Sequence, residues 1–171
     1  MSTDRDLLFA HYHGRLLRYF CRAVGRLDVA RDLTQDVFLR VSRTAIPSGA
    51  DVDVSAWLFR IARNLALDHH RTRRRHPDPS PLVDDRTRAA PQDVAFAVNT
   101  ALASLPALDR DVFLMREVAG LSYDEIAGAC ELTPDAVRSR IHRTRLELRS
   151  HLAAPISARQ STPMRRSGRD T

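Results

Sequence analysis

The 171-residue sequence contains no lysine, only two cysteines, few aromatic residues and no long apolar run. Because a membrane-spanning helix needs about 20 consecutive apolar residues, we predict no membrane segment and no membrane partner. The N-terminus, MSTDRDLLFA, lacks the basic stretch and apolar stretch of a secretory signal, so we expect a cytoplasmic protein. Cys21 and Cys130 lie far apart, which favours neither a metal-binding pair nor a disulfide framework.

The common sequence signatures of enzymes are also missing. The chain has no P-loop, no G-x-S-x-G, no H-E-x-x-H and no cysteine cluster. His11, His13, His69 and His70 lie in predicted helices at spacings that permit adventitious metal binding, but we expect them to be solvated or partly packed. We therefore predict no enzyme activity, no catalytic residues, no metal site and no cofactor.

Positive charge is abundant and unevenly distributed. All 27 basic residues are arginine, and the formal net charge is +6. Residues 1–75 contain 14 arginines and 8 acidic residues, and residues 138–149 contain five arginines and one glutamate. Such patches suit a polyanion such as nucleic acid, and a solvated helical surface is the alternative.

Helical periodicity dominates, and no convincing alternating strand occurs. We predict an all-α protein with two small helical domains, an N-terminal bundle and a C-terminal helix-turn-helix, joined by a Pro-rich linker. The predicted helices are Asp4–Val24, Asp28–Thr44, Ser55–Arg75, Val94–Ser104, Ala107–Val118, Ser122–Cys130 and Pro134–Leu152. The predicted divisions are residues 1–75, the linker at 76–93, residues 94–152, and a disordered basic tail at 153–171.

The segment LSYDEIAGACELTPDAVRSRIHRTRLEL predicts a short helix, a tight turn and a longer helix. Ser122 and Glu125 form an S-x-x-E capping box, Thr133 caps the next helix, and Pro134 occupies its first turn. The inward stripe of the longer helix is Val137, Ile141, Thr144 and Leu148. Its outward side carries Asp135, Arg138, Ser139, His142 and Arg143. Such side chains can reach phosphates and base edges in a major groove, whereas an ordinary helical hairpin is the alternative.

The second predicted helix has an acidic outward face. Ala30, Leu33, Val37, Phe38 and Val41 form its inward stripe. The outward face carries Asp32, Gln35, Asp36 and Arg43, with Leu39 among them. An apolar centre with a polar rim favours docking of a protein with a basic surface, and a single exposed leucine without a function is the alternative.

The third predicted helix has a basic outward face and ends in RTRRR. Trp57, Leu58, Ile61, Ala62 and Leu65 are predicted to face inward. Arg60, Arg63, Asn64 and Arg71, with the nearby aromatic ring of Phe59, suit single-stranded or distorted DNA. A solvated basic face is the alternative.

These segments together resemble a bacterial RNA polymerase sigma factor of the extracytoplasmic-function (ECF) group of the sigma-70 family. The resemblance rests on ARDLTQDVFLRV (30–41), SAWLFRIARNLALDHHR (55–71), LPALDRDVFLMREVAGLSYDEIA (105–127) and VRSRIHRTR (137–145), in that order. It implies a subunit that binds core RNA polymerase and directs it to promoter DNA by reading the −35 duplex and opening the −10 element. A stand-alone helix-turn-helix regulator would explain residues 105–152 but not the acidic and basic faces of the first half.

The resemblance also implies a role for each face. The acidic face would dock on the clamp helices of the largest polymerase subunit through Asp32, Gln35, Asp36 and Leu39. The −10 element would be captured by the 45–54 loop and by Phe59, Arg60, Arg63, Asn64, Asp68 and Arg71. The −35 element would be bound by Arg116, Arg138, Ser139, His142 and Arg143. An anti-sigma factor is a further partner that the family commonly has.

Three residues depart from the family pattern. Arg31 stands where the family often has glutamate, but it does not lie on the docking face. Glu131 stands in the turn where the family usually has glycine, and a left-handed backbone there would cost glutamate about 1 kcal/mol. Asp135 replaces a second usual glycine, at the start of the recognition helix. Its carboxylate suits the helix dipole but would repel a nearby phosphate.

Overall fold

The computed structural model describes residues 4–47, 53–75 and 92–153. These ranges contain α-helices and no strand, which confirms the all-α prediction. The helices are α1 (Asp4–Val24), α2 (Leu27–Arg43), α3 (Val54–Arg75), α4 (Gln92–Ser104), α5 (Ala107–Glu117), α6 (Tyr123–Cys130) and α7 (Pro134–Ala153). Within the same ranges, no helix is long and apolar enough to cross a membrane. The centre of the predicted loop, most of the predicted linker and nearly all of the predicted tail lie outside the described residues.

Helices α1, α2 and α3 form the N-terminal group. Leu16, Tyr19 and Phe20 of α1 are fully buried, and Val37 of α2 and Leu58 of α3 are buried with them. These apolar side chains recur at helical spacing, so each helix turns one stripe toward a shared core. The inward stripes predicted for α2 and α3 are confirmed except for partial exposure of three residues at their edges: Phe38, Trp57 and Ile61.

The N-terminus of α3 differs from the sequence prediction. Ser55 was the expected cap, but the cap is Asp53, whose Oδ1 accepts a hydrogen bond from the backbone N–H of Ala56 at 3.0 Å. Because the helix begins at Val54, Ser55 already lies within it and turns toward α1. Its buried hydroxyl lies 2.6 Å from the hydroxyl of Tyr12.

Helices α4–α7 form the C-terminal group, and α6 and α7 form the predicted helix-turn-helix. Both reciprocal hydrogen bonds of the Ser122–Glu125 capping box are present. The Thr133 hydroxyl accepts from the backbone N–H of Ala136 at 3.2 Å, and Pro134 begins α7. The predicted inward stripe of α7 is buried throughout: Val137, Ile141, Thr144 and Leu148.

The turn between α6 and α7 has a left-handed residue. Glu131 has φ 57° and ψ 46°, and its backbone N–H donates to the carbonyl of Ala127. This conformation ends α6 and lets α7 start in a new direction. The turn therefore has a left-handed backbone at Glu131, which glutamate adopts at a cost that glycine would avoid.

We expect Glu131→Gly to raise the free energy of unfolding by about 1 kcal/mol, because glycine adopts the left-handed backbone without strain. Part of the stabilisation is offset because glycine also makes the unfolded chain more flexible. Urea unfolding followed by circular dichroism measures the change. The control is Glu131→Ala, which removes the carboxylate but retains a Cβ. Equal stabilisation by alanine would show that charge, and not backbone strain, limits the stability of this turn.

The two helical groups pack directly against each other. Helix α3 lies against α6, and α1 lies against α5. The sequence predicted two domains joined by a linker and gave no sign of this contact. Because it covers part of α3, it decides which of the predicted site residues are exposed.

Candidate docking and nucleic-acid surfaces

The acidic face of α2 is fully displayed. Asp32, Gln35 and Asp36 are exposed, and Leu39 is 52% exposed. Leu33 and Val37, which lie between these residues in sequence, point into the core. The four residues therefore lie on the opposite, solvent-facing side of α2. The structure therefore brings all four predicted docking residues together on one solvent-facing surface.

An aromatic cluster lies close to this face in sequence and was missed by the sequence analysis. Phe38 of α2 is half-buried, and its ring centroid lies 4.8 Å from that of Phe9, which is 48% exposed. The His13 ring lies tilted against that of Phe9 at the same centroid distance, 4.8 Å. The signal that was available is the i, i+4 spacing of Phe9 and His13, which places both rings on one side of α1.

The outward side of α7 is also displayed. Arg138, Ser139, His142 and Arg143 are all exposed on the first turns of the helix. Asp135, the expected source of repulsion toward phosphate, accepts a hydrogen bond from Arg138 at 2.5 Å. The carboxylate is thus compensated within the helix, and the surface as a whole stays basic.

Tyr123 connects two of the predicted −35 residues and was not identified from the sequence. The guanidinium carbon of Arg116 lies 4.8 Å from the Tyr123 ring centroid, and that of Arg138 lies 5.1 Å from it. Arg116 also donates to the carbonyl of Leu121 at 2.7 Å. Each cation–π contact contributes roughly 0.5–1 kcal/mol at an exposed site, so the ring restricts both arginines before any ligand binds.

On α3, the predicted −10 residues fall into two sets. Asn64, Asp68 and Arg71 are exposed, and Asp68 pairs with Arg71 at 3.4 Å. In the second set, Arg60 and Arg63 bond to the C-terminal group, and Phe59 is buried in the core.

Phe59 does not fit the expectation of an aromatic ring available to bases. Its side chain is 0% exposed, and its ring packs edge-on against Tyr19 at 5.8 Å. Tyr19 and Arg15, both on α1, lie against this ring. Arg60, although exposed overall, donates from Nη2 to the carbonyl of Gly128 in α6 at 2.6 Å.

Asp111 of α5 is the centre of a buried polar cluster between the helical groups. Its carboxylate accepts from Nε of Arg63 at 3.2 Å and from the hydroxyl of Tyr19 at 3.4 Å, and Asp111 is 3% exposed. Burial raises the pKa of Asp111 to about 6, although Arg63 and Arg110 act in the opposite direction. Burial also raises the pKa of Tyr19 well above its usual range and that of Cys130 to about 11.

Arg15 of α1 forms a second link between the groups. Its Nε donates to the carbonyl of Ala119, just after α5, at 2.9 Å. Its guanidinium carbon lies 5.4 Å from the Tyr12 ring centroid and 5.9 Å from that of Phe59. One arginine thus connects an aromatic pair on α1 and α3 to the backbone of the C-terminal group.

The histidines do not gather into a ligand set. Among the residues that the structure describes, no group of three or more His, Cys, Asp or Glu side chains is placed to hold a metal ion. The rings of His69 and His70 contact each other edge-on at 5.9 Å. Burial, followed by the charge of Arg110, lowers the pKa of His70 to about 4.

Comparison with known protein families defines the class of this chain. Residues 8–76 match the family described as Sigma-70 region 2, and residues 95–148 match the family described as Sigma-70, region 4. The first match covers α1–α3, and the second covers most of α4–α7. The chain therefore combines the two helical regions of a sigma-70-type protein.

Individual relatives place it within that class. It is 33% identical over 160 residues to the ECF RNA polymerase sigma factor SigC of Mycobacterium tuberculosis, covering 84% of this chain and 86% of SigC. It is 34% identical over 159 residues to the ECF sigma factor SigE of Mycolicibacterium smegmatis, covering 86% of this chain but only 61% of SigE. The chain belongs to the ECF RNA polymerase sigma factors.

Solved structures agree with this fold. CnrH in complex with the cytosolic domain of CnrY matches with a TM-score of 0.68 and 28% identity, covering 86% of each chain. RpoE in complex with the anti-sigma factor NepR from Bartonella quintana matches with a TM-score of 0.71 and 22% identity, covering 90% of this chain and 99% of RpoE.

Proposed function

We propose that this chain is a promoter-specificity subunit that binds core RNA polymerase in the cytoplasm and directs it to promoters without performing chemistry itself. In this proposal residues 1–75 dock on polymerase and capture the −10 element, residues 76–93 link the domains, residues 94–152 read the −35 element, and residues 153–171 form a basic tail. The observation that carries it is that one chain displays two surfaces of opposite charge, the acidic face of α2 and the basic side of α7. A stand-alone DNA-binding regulator needs only the basic surface of α7.

The acidic face of α2 is the proposed polymerase contact. Asp32 and Asp36 provide negative charge for a basic partner, and exposed Leu39 provides an apolar centre that contact would bury. The partner surface proposed from the family is the clamp helices of the largest subunit. Gln35 adds hydrogen-bonding capacity on the same face.

The outward side of α7 is the proposed −35 contact. Arg138 and Arg143 can each bind a phosphate or form bidentate bonds to a guanine, and Ser139 and His142 can bond to base edges or phosphates. Arg116 would contact the DNA backbone from the end of α5. The Tyr123 ring supports this role because it holds Arg116 beside Arg138.

Helix α3 is the proposed −10 contact, and its two sets of residues act at different stages. Asn64, Asp68 and Arg71 are exposed and can meet DNA first. Phe59 is buried, and Arg60 and Arg63 bond to the C-terminal group, so these contacts must open before the three side chains bind unpaired bases and phosphates. Stacking on an aromatic ring contributes roughly 1–3 kcal/mol per base, which offsets the cost of unpairing.

An anti-sigma factor is the proposed regulatory partner. The structures of CnrH and RpoE were solved with the cytosolic domain of CnrY and with NepR, respectively. Similarity to both over most of this chain supports a partner of the same kind. No residue of this chain identifies that partner.

Reconstituted transcription tests the proposal. Genome-wide mapping of polymerase bound to the tagged chain supplies a promoter, and purified core polymerase is then assayed on it with and without the chain. We expect initiation at one start site when the chain is present and no initiation there when it is absent. A stand-alone regulator would instead bind the duplex without core polymerase and would support no initiation by core polymerase, which would contradict the proposal.

A further inference from the structure

The guanidinium of Arg138 is held by two side chains on the outward side of the helix-turn-helix. Its Nη1 donates to Oδ1 of Asp135 at 2.5 Å, and its guanidinium carbon lies 5.1 Å from the ring centroid of Tyr123. Asp135 lies three residues before Arg138 on α7, so the two side chains share one face of the helix. The side chains of Arg138 and Asp135 are 59% and 89% exposed, which places the pair on the surface proposed to meet DNA.

Stability does not account for this arrangement. An exposed ion pair contributes little to folding, because water competes for both charges and two long side chains lose freedom. Asp135 lies in the first turn of α7, where any acidic side chain interacts favourably with the helix dipole without bonding to Arg138. The bond between the two side chains therefore points to a role in binding.

We propose that Asp135 is a specificity-determining residue, which holds Arg138 in the orientation that reads a guanine in the major groove. The proposal rests on the proposed −35 contact of α7 and deepens it in two ways. It assigns a positioning role to Asp135, and it names a guanine, rather than a phosphate, as the group that Arg138 binds.

The geometry of the pair suits a guanine. Guanine presents two acceptors in the major groove, O6 and N7, and arginine binds both through two parallel N–H groups. The bond to Asp135 uses Nη1 of Arg138, and the edge formed by Nε and Nη2 provides two such N–H groups. Because Asp135 and Tyr123 restrict the guanidinium before DNA arrives, less conformational freedom is lost when the two bonds to guanine form.

The carboxylate also acts against a phosphate. A phosphate that approaches Arg138 comes close to the negative charge of Asp135, whereas the edge of a guanine carries no net charge. Like charges brought together at an interface weaken binding, so Asp135 disfavours phosphate relative to guanine. The same residue thus orients the arginine toward one ligand and repels the other, which is how specificity is commonly obtained.

Binding of the full chain to a library of random-sequence duplexes tests the proposal. Sequencing of the bound and unbound duplexes gives the base preference at each position of the site. Arg138→Ala should abolish a guanine preference of about tenfold at one position, which identifies the base that Arg138 reads. A chain without any guanine preference that depends on Arg138 would overturn the proposal.

Asp135→Ala should lower that guanine preference at least about threefold and raise the affinity for unrelated duplexes about threefold, because Arg138 becomes free to bind phosphates. The matched control is Glu147→Ala, which removes the same charge from an exposed position on the same helix. We expect the control to change either quantity by less than about twofold. Equal effects of the two substitutions would mean that net charge governs binding, and the proposal would be wrong.

The double substitution Asp135→Ala with Arg138→Ala shows whether Asp135 acts through Arg138. In the absence of Arg138, loss of Asp135 should leave the base preference at this position unchanged within about twofold, because no guanidinium remains to be oriented. A direct bond from a cytosine amine to the Asp135 carboxylate would instead leave a preference in Arg138→Ala that the second substitution removes. That result would contradict the positioning role.

Tyr123 provides a second arm, which leaves the first turn of α7 unaltered. Tyr123→Leu removes the ring beneath Arg138 but retains an apolar side chain, and we expect it to lower the guanine preference at least about twofold. Tyr123→Phe keeps the ring and should retain the preference. Equal preferences in the two variants would show that the ring does not position Arg138. Circular dichroism and thermal unfolding of every variant show whether the fold is intact.

The alternative ligand of Arg138, a phosphate, has a different signature. Arg138→Ala would then weaken binding to all duplexes equally and lower the salt dependence by about one released ion. These measurements contain no polymerase, so they are separable from the proposed function. A guanine preference that depends on Asp135 in a chain that supports no initiation would retain this inference and reject the promoter role. Normal initiation by a chain whose base preference is unaffected by Asp135→Ala would do the reverse.

Discussion

Replacing Asp32 and Asp36 by arginine should weaken binding to core RNA polymerase by at least about 100-fold, because placing like charges opposite each other at an interface costs several kcal/mol. Both carboxylates are exposed on α2, outside the core stripe, so the substitution should leave the fold unchanged. Fluorescence anisotropy of the labelled chain titrated with core polymerase measures the affinity. Thermal unfolding of the isolated chain shows whether the fold is retained.

The matched control for this reversal is Arg31→Glu. Arg31 is exposed on the same helix but does not belong to the acidic face. Its reversal to glutamate changes the charge by the same amount as each aspartate-to-arginine substitution, in the opposite direction. We expect it to alter the affinity by no more than about twofold, as for surface changes away from an interface. If Arg31→Glu instead strengthens binding in proportion to its own charge change, net charge governs the affinity and the acidic face is not the docking surface.

Arg138→Ala combined with Arg143→Ala should lower initiation from a promoter with an intact −35 element on the order of 100-fold, since each lost arginine contact to DNA costs roughly 1–3 kcal/mol. Both side chains are exposed and neither supports the core of the C-terminal group. Run-off transcription at subsaturating promoter concentration measures the loss. The same pair of substitutions should have little effect on a promoter whose −35 element has been replaced.

Arg140→Ala is the informative comparison on the same helix. The guanidinium of Arg140 faces α5 and bonds to Asp109 at 2.6 Å, with a side chain only 28% exposed. Its loss should reduce stability while preserving the dependence on the −35 element. An equal loss of −35 dependence for Arg140→Ala would mean that any arginine on α7 contributes through charge alone, and that the outward side has no specific role.

Much of the architecture is predictable because it is local. The 3.6-residue period defines the buried stripes of α2 and α7, and it leaves Asp32 and Arg138 outside. Capping chemistry identifies Ser122 as the start of α6, since the hydrogen bonds involve residues three apart. At α3 the same reasoning named Ser55, whereas the cap is Asp53, because both are residues that cap helices and only the start of the helix decides which of them does so.

The environment of α3 was not predictable from these patterns. Periodicity correctly assigns a basic side to the helix, but whether that side meets solvent, DNA or protein depends on residues about 50–70 positions away in sequence. Arg63 was predicted to face DNA, with a solvated face as the alternative, and the structure shows it bonded to buried Asp111. Tyr123 was overlooked for the same reason, since its contact with Arg138 joins two helices across a turn.

The sequence by itself determined the helices, their inward and outward sides, the helix-turn-helix and the resemblance to the ECF sigma factors, because each depends on interactions between residues a few positions apart or on short motifs. Only the tertiary structure decided that α6 covers α3, that Phe59 is buried and that Gly128 permits the contact. These features arise from close packing between distant segments, where a single Cβ determines how near two helices can lie.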